Sequence, residues 1–162
     1  FHTIALGACN SIYTLLHYPE AWTQIKESPD LIPRAVVEAL RLESPAIFFR
    51  RWVIEDVIYD GHLIPKGTFV ANFWSAGNHD PAFFPEPERF SFDRANVATL
   101  TFGGGLHICP GRYVTVMLIR MMLEMLNQKK IKLELVDTAS EWIGGHFMSQ
   151  LKKMNVRVSR QR

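Results

Sequence analysis

The sequence predicts an α+β fold, mainly helical with small antiparallel sheets, and three observations lead there. Residues 4–42 hold apolar runs at helical spacing, broken by prolines. Residues 48–73 hold short runs rich in aromatic and β-branched side chains, broken by turn residues. Residues 113–127 form one strongly apolar stretch, followed by two further short runs.

The elements follow in order. A first helix over 4–17 carries the small residues Ala5, Gly7 and Ala8, and stops before Tyr18-Pro19, because a residue preceding proline avoids the helical region. A second helix over 19–26 starts with Pro19 in its first turn, where no amide hydrogen is needed. Ser28-Pro29-Asp30 is a turn, and a third helix over 33–42 is ended by Ser44-Pro45. Strands are expected over 48–54, 57–59 and 68–73, as one small antiparallel sheet with hairpins at Asp60-Gly61 and Pro65-Lys66-Gly67. Asp80-Pro81 and Pro85-Glu86-Pro87 make 77–94 irregular. A helix over 113–127 precedes candidate strands 131–136 and 155–159, with a turn region at 143–145.

Composition narrows the function classes. The 162 residues can bury a real core, and 48% apolar with 21% charged residues is ordinary for a globular protein. A formal charge of +2, with lysines and arginines scattered, gives no basic face for nucleic acid. Cys9 and Cys109 could form one bridge at most, so a reduced, cytoplasmic setting is expected. No apolar run has membrane-spanning length, so no membrane association is expected. The chain starts at Phe1 in a helix already under way, which reads as a cut protein or as one half of a larger one.

The chemistry concentrates at 102–111, Phe-Gly-Gly-Gly-Leu-His-Ile-Cys-Pro-Gly. Three glycines clear side chains where the backbone must pass close to something flat or bulky. Cys109 follows just before a helix, where amide groups and the helix dipole favour a thiolate. Iron in haem is the known user of a single protein thiolate. Other readings compete. A phosphate loop would need a following Lys and Ser/Thr, which are absent. Zinc would need more ligands at close spacing than Cys109 and His107 provide. A lone cysteine is often just a small apolar side chain.

Three motifs together resemble the cytochrome P450 family, in its soluble bacterial type. Residues 102–111 match its haem signature Phe-x-x-Gly-x-x-x-Cys-x-Gly at every fixed position. Glu38-Ala39-Leu40-Arg41 matches its Glu-x-x-Arg helix motif, and Pro87-Glu88-Arg89-Phe90 matches the segment supplying a further arginine. The resemblance covers essentially the whole chain and implies the C-terminal, haem-binding portion of that fold over residues 1–162, with the N-terminal half absent.

The resemblance implies haem b (iron protoporphyrin IX) with Cys109 as the metal ligand. Thr101, Phe102, Gly103 and Gly111 would form its loop, and Arg51 and His107 would meet its propionates. Glu38, Arg41 and Arg89 would form a buried ionic triad that fixes the loop leading to the cysteine. Ala46, Ile47, Phe48, His146 and Phe147 would border a pocket for an apolar small-molecule substrate. His2 and Thr3 fall where the family places an acid and a threonine for proton delivery, so a histidine replaces the acid. Val116 and Leu118 replace charged residues, leaving Arg112 and Arg120 as a basic surface for a ferredoxin or flavodoxin-type electron donor.

The implied activity is that of a monooxygenase, an oxidoreductase that activates dioxygen opposite Cys109 and oxidises an apolar molecule. Two alternatives accompany it. A truncated chain could bind haem or a partner without catalysis, with a dimer covering its exposed distal face. A haem-thiolate enzyme could instead use peroxide or isomerise its substrate.

Overall fold

The computed structural model describes residues 2–94, 99–137, 140–143 and 147–160. Helices α1 (His2–His17), α2 (Pro19–Glu27) and α3 (Ile32–Leu42) open the chain, with a single tight turn at Pro29–Leu31. Tyr18 sits at φ −120°, ψ 72°, the extended conformation that the ring of Pro19 imposes, and α1 ends there.

The core is a three-helix contact of α1, α3 and α5 (Arg112–Gln128). Ile32, Ala35, Val36, Ala39 and Leu40 of α3 meet Leu15 of α1 and Ile119 and Leu123 of α5, all buried. Each large aliphatic side chain among them contributes about 1.5–3 kcal/mol. Gly7 lets the helices close: a β-carbon there would stand 3.3 Å from Ile119 Cδ1 and 3.4 Å from Leu40 Cδ2. The polar residues of α1 are accommodated locally. Ser11 and Thr14 donate to the Gly7 and Asn10 carbonyls at 2.7 and 2.9 Å. Asn10 Nδ2 donates to the carbonyls of Glu43 and Ser149, tying α1 to the end of α3 and to the C-terminal region.

Among the described residues, the strands form four two-stranded antiparallel sheets. β1 (Phe48–Trp52) pairs with β4 (Phe69–Phe73), and β2 (Val57–Tyr59) pairs with β3 (His62–Ile64). Asp60 and Gly61 at φ 49° and 75° make the two-residue turn between Tyr59 and His62, which matches strand twist. The single sheet expected over 48–73 is thus two, because the β1–β4 pairing ends at Val53, which bonds Thr68 and Gly67, and the β2–β3 hairpin forms its own pair. The segment expected to be irregular from residue 77 is preceded by α4 (Trp74–Asn78), a short helix that the sequence reading missed.

β5 (Ile131–Leu135) pairs with β8 (Val156–Arg160), and β6 (Glu141–Ile143) with β7 (Gln150–Lys153). β6 ends at Ile143, the first residue of the expected turn region 143–145, and residues 144 and 145 lie outside the described residues. Backbone bonds from Ile47 to the Phe147 carbonyl and from Ser149 to the Pro45 carbonyl, both 2.8 Å, lay the C-terminal region beside the segment after α3. Among the described residues, no helix is long and apolar enough to cross a membrane.

Candidate functional site

The cysteine loop consists of two tight turns, Leu100–Phe102 and Gly105–His107, leading to Cys109 and then to α5. The Cys109 amide donates to the Phe102 carbonyl at 2.8 Å, closing the loop on itself. The Cys109 carbonyl accepts from Arg112 Nη1 at 3.1 Å. Gly103 takes φ 69°, and a β-carbon there would fall 2.3 Å from the Trp74 ring, so only glycine fits on both counts. Gly111 is the residue before α5, and a β-carbon on it would lie 3.8 Å from Cys109 Sγ. The half-buried Cys109 therefore stands just ahead of a 17-residue helix whose N-terminal amides favour negative charge.

Cys109 lines a cavity of about 380 Å³. Leu40, Pro45, Phe49, Trp74 and Phe102 give it an apolar wall, with Arg51 and His107 as nitrogen donors. Arg51 is held from two sides: its Nη1 donates to the Arg50 carbonyl at 3.0 Å, and its guanidinium lies 6.0 Å from the Trp74 ring centre. Thr3 reaches the cavity from α1, and Thr101 and Thr115 add hydroxyls. A soft sulfur donor, flat aromatic walls and two nitrogen donors are the set that a planar, carboxylate-bearing iron macrocycle requires, so the residues present fit haem.

The structure gathers Cys109, His107, Arg51, Phe102, Thr101, Ala46 and Thr3 around this one cavity. His2 is exposed on α1 and, unlike Thr3, does not border it. Of the expected pocket segment 46–49, Ala46 and Phe49 line the cavity and Phe48 does not. Neighbouring strand residues point to opposite faces, so Phe48 stacks on Phe73 at 4.9 Å while Phe49 stacks on Trp74 at 5.0 Å inside the cavity. Ile47 bonds through its backbone to Phe147, whose ring lies 6.0 Å from that of Phe49; both stand behind the cavity lining. His146 lies outside the described residues. Trp74, Leu40, Pro45 and Thr115 were missed by sequence reasoning. A tryptophan directly after a strand-like run was the only signal available for Trp74.

The ionic triad is also corrected. Glu38 and Arg41 pair as expected, Nε to Oε2 at 2.8 Å, with both side chains almost fully buried. The third member is Arg94, whose Nε lies 2.8 Å from Glu38 Oε1. Arg94 also donates to the carbonyls of Pro85, Glu86 and Arg89 at 2.8–2.9 Å. The side chain of Arg89 turns outward to Glu86, and its contribution is that backbone carbonyl. Charge balance does not distinguish the two arginines. The path of 85–94 does, because it presents its carbonyls inward to one guanidinium.

A single cysteine at the start of a long helix, on an apolar cavity and beside a helix that carries a buried Glu-Arg pair, is the arrangement of the haem-thiolate class of protein. The profile of the cytochrome P450 family matches residues 1–129, and the chain belongs to that family. It is 32% identical to linalool 8-monooxygenase of Pseudomonas putida over 147 residues, which are 91% of this chain and 36% of that protein. It is 33% identical to the beta-dihydromenaquinone-9 omega-hydroxylase of Mycobacterium bovis over 146 residues, 90% of this chain and 30% of that one. Its fold matches P450BioI, crystallised with an acyl carrier protein ligated to hexadec-9Z-enoic acid, with a TM-score of 0.90 and 30% identity. That match covers 97% of this chain and 41% of P450BioI. The chain thus spans about a third of the length of these curated relatives. Members of the family bind haem through a cysteine thiolate, the role for which Cys109 is placed.

Proposed function

We propose that this chain is the C-terminal, haem-binding part of a cytoplasmic monooxygenase that oxidises an apolar small molecule. The observation that carries the reading is the position of Cys109 on the wall of an apolar cavity, with Arg51 and His107 bordering the same space. Haem, when bound, supplies dioxygen activation and oxidising power. The chain's own residues do the rest. Cys109 holds the iron as a thiolate, and its loop is closed by the Phe102 carbonyl. Arg51 would neutralise, and His107 would hydrogen-bond, the haem carboxylates. Trp74 backs Arg51 and walls one side.

Ala46 and Phe49 exclude water where an apolar substrate would lie. Thr3 holds a hydroxyl proton at the cavity edge. The names of the relatives agree with an apolar substrate, since they act on linalool and on a menaquinone. Arg112 and Arg120 share one groove with Phe102, beside the cysteine loop, where an acidic ferredoxin or flavodoxin-type donor would dock. Arg120 is paired with the Glu124 carboxylate, whereas Arg112 donates to the neutral Cys109 carbonyl and Tyr113 hydroxyl, so Arg112 is the stronger of the two anchors.

The test is the absorption spectrum of the haem-loaded protein, reduced and exposed to carbon monoxide. A strongly red-shifted Soret band that disappears in Cys109→Ser supports the reading. No haem uptake, or an imidazole-type spectrum in the unaltered protein, overturns it.

A further inference from the structure

Asn78 ends α4 and is fully buried, with every polar atom of its side chain engaged. Oδ1 accepts from the Leu100 amide at 2.7 Å. Nδ2 donates one hydrogen to Thr101 Oγ1 at 3.1 Å and the other to Ser44 Oγ at 3.3 Å. The hydroxyls complete the pattern: Ser44 donates to Thr101 Oγ1 at 3.1 Å, and Thr101 donates to the Leu40 carbonyl at 2.9 Å. Each of these protons has one acceptor. Thr101 Oγ1 uses both lone pairs, so the network has a single consistent arrangement. The Asn78 carbonyl also accepts from Arg41 Nη1 at 2.7 Å, joining the network to the ion pair with Glu38.

Two of the three residues bonded to the Asn78 side chain, Leu100 and Thr101, belong to the turn whose last member, Phe102, supplies the carbonyl that holds the Cys109 amide. We propose that Asn78 is the positioning residue for the cysteine ligand: it fixes the height of the 100–102 turn on α3, and through Phe102 it fixes where Cys109 Sγ stands in the cavity. This rests on the haem reading above. A planar amide is required, because one end must accept from the Leu100 amide while the other donates to the Thr101 hydroxyl. Aspartate would lose the donors, and alanine would lose both functions and orphan the Leu100 amide.

The experiment uses the full-length protein in a Cys9→Ser background, with Asn78→Ala compared against Ser44→Ala. Ser44→Ala leaves the bonds from Asn78 to Leu100 and Thr101 in place and serves as the control for general loosening. The first readout needs no cofactor: the rate at which Cys109 is alkylated in the haem-free protein, well below the unfolding temperature. Removing the anchor should speed it by about tenfold, while Ser44→Ala stays near the unaltered rate. The second readout is the reduced, carbon monoxide-bound spectrum. Asn78→Ala should give a mixture of thiolate and non-thiolate bands, and Ser44→Ala the thiolate band alone. Asn78→Ser takes the place of Asn78→Ala, with the same readouts, if the alanine variant does not fold.

An unchanged alkylation rate and a pure thiolate band in the folded Asn78 variant overturn the proposal. So does an equal effect from Ser44→Ala, which would make the role merely structural. If the unaltered protein itself shows no thiolate band, the haem reading fails, and the alkylation rates still decide whether Asn78 positions Cys109.

Discussion

Gly103 rests against the indole of Trp74 so closely that a β-carbon on it would fall 2.3 Å from the ring. The glycine of the cysteine loop and the tryptophan of the cavity wall are therefore one packing unit. Gly103→Ala should destabilise the protein by about 1–3 kcal/mol, combining overpacking with a left-handed backbone that alanine resists. Trp74→Ala removes the obstacle, so the double variant should lose less than the sum of the singles. A double-mutant cycle by denaturant unfolding checks this. Strict additivity would show that the ring is not what forbids the side chain.

The two arginines of the 85–94 segment should behave differently. Arg94→Ala strips a buried carboxylate of one cation and removes one donor from each of three backbone carbonyls. It should cost about 3–5 kcal/mol. Arg89→Ala removes an exposed pair with Glu86 and should cost about 1 kcal/mol at most. Unfolding midpoints of the two variants decide it. Equal losses would contradict the geometry.

Glu43 predicts a pH dependence. Burial raises its carboxyl above the ordinary glutamate range, with the charges of His79 and His17 pulling the other way. The folded state therefore binds this proton more tightly than the unfolded chain. The resulting stability is fully present below the unfolded pKa and is lost as pH rises through the folded one. Glu43→Gln carries no charge at any pH. It should melt above the unaltered protein at neutral pH and lose that advantage below about pH 4. Melting temperature followed across this range is the measurement, and a constant offset would count against the assignment.

Cofactor retention should depend on Arg51. Its guanidinium is presented by β1 and backed by Trp74, in the cavity that holds Cys109. A hydrogen bond to a charged group contributes about 1.5–3 kcal/mol, so Arg51→Ala should weaken haem binding by about ten- to a hundredfold. Haem transfer to an excess of an apo-haem acceptor protein reads this directly. The thiolate band of whatever haem remains should be unchanged, because Arg51 does not touch Cys109 in the structure.

Much of this protein is local and was therefore legible in the sequence. Prolines placed the ends of the first three helices, because a proline ring acts on its immediate neighbours. Asp60-Gly61 announced its hairpin through the positive φ that both residues adopt. The ten residues ending at Gly111 announced the thiolate loop, since the glycines, the cysteine and the following helix all act within that span.

What the tertiary structure decided concerns residues far apart in the chain. Whether Arg89 or Arg94 meets Glu38 depends on how a proline-rich segment curves across α3, and both have the same charge. Whether Phe48 or Phe49 faces the cavity turns on one residue of strand register, which a run of aromatics does not reveal. Asn78 reads as one more turn residue until folding brings Ser44, Leu100 and Thr101 around it. The sequence by itself determined the core helices and the glycine-rich loop that ends in Cys109, because their signals are local. Folding alone decided which arginine meets Glu38, which aromatic ring lines the cavity and which amide grips the 100–102 turn, because those assignments are settled by distance in space between segments that share no local pattern.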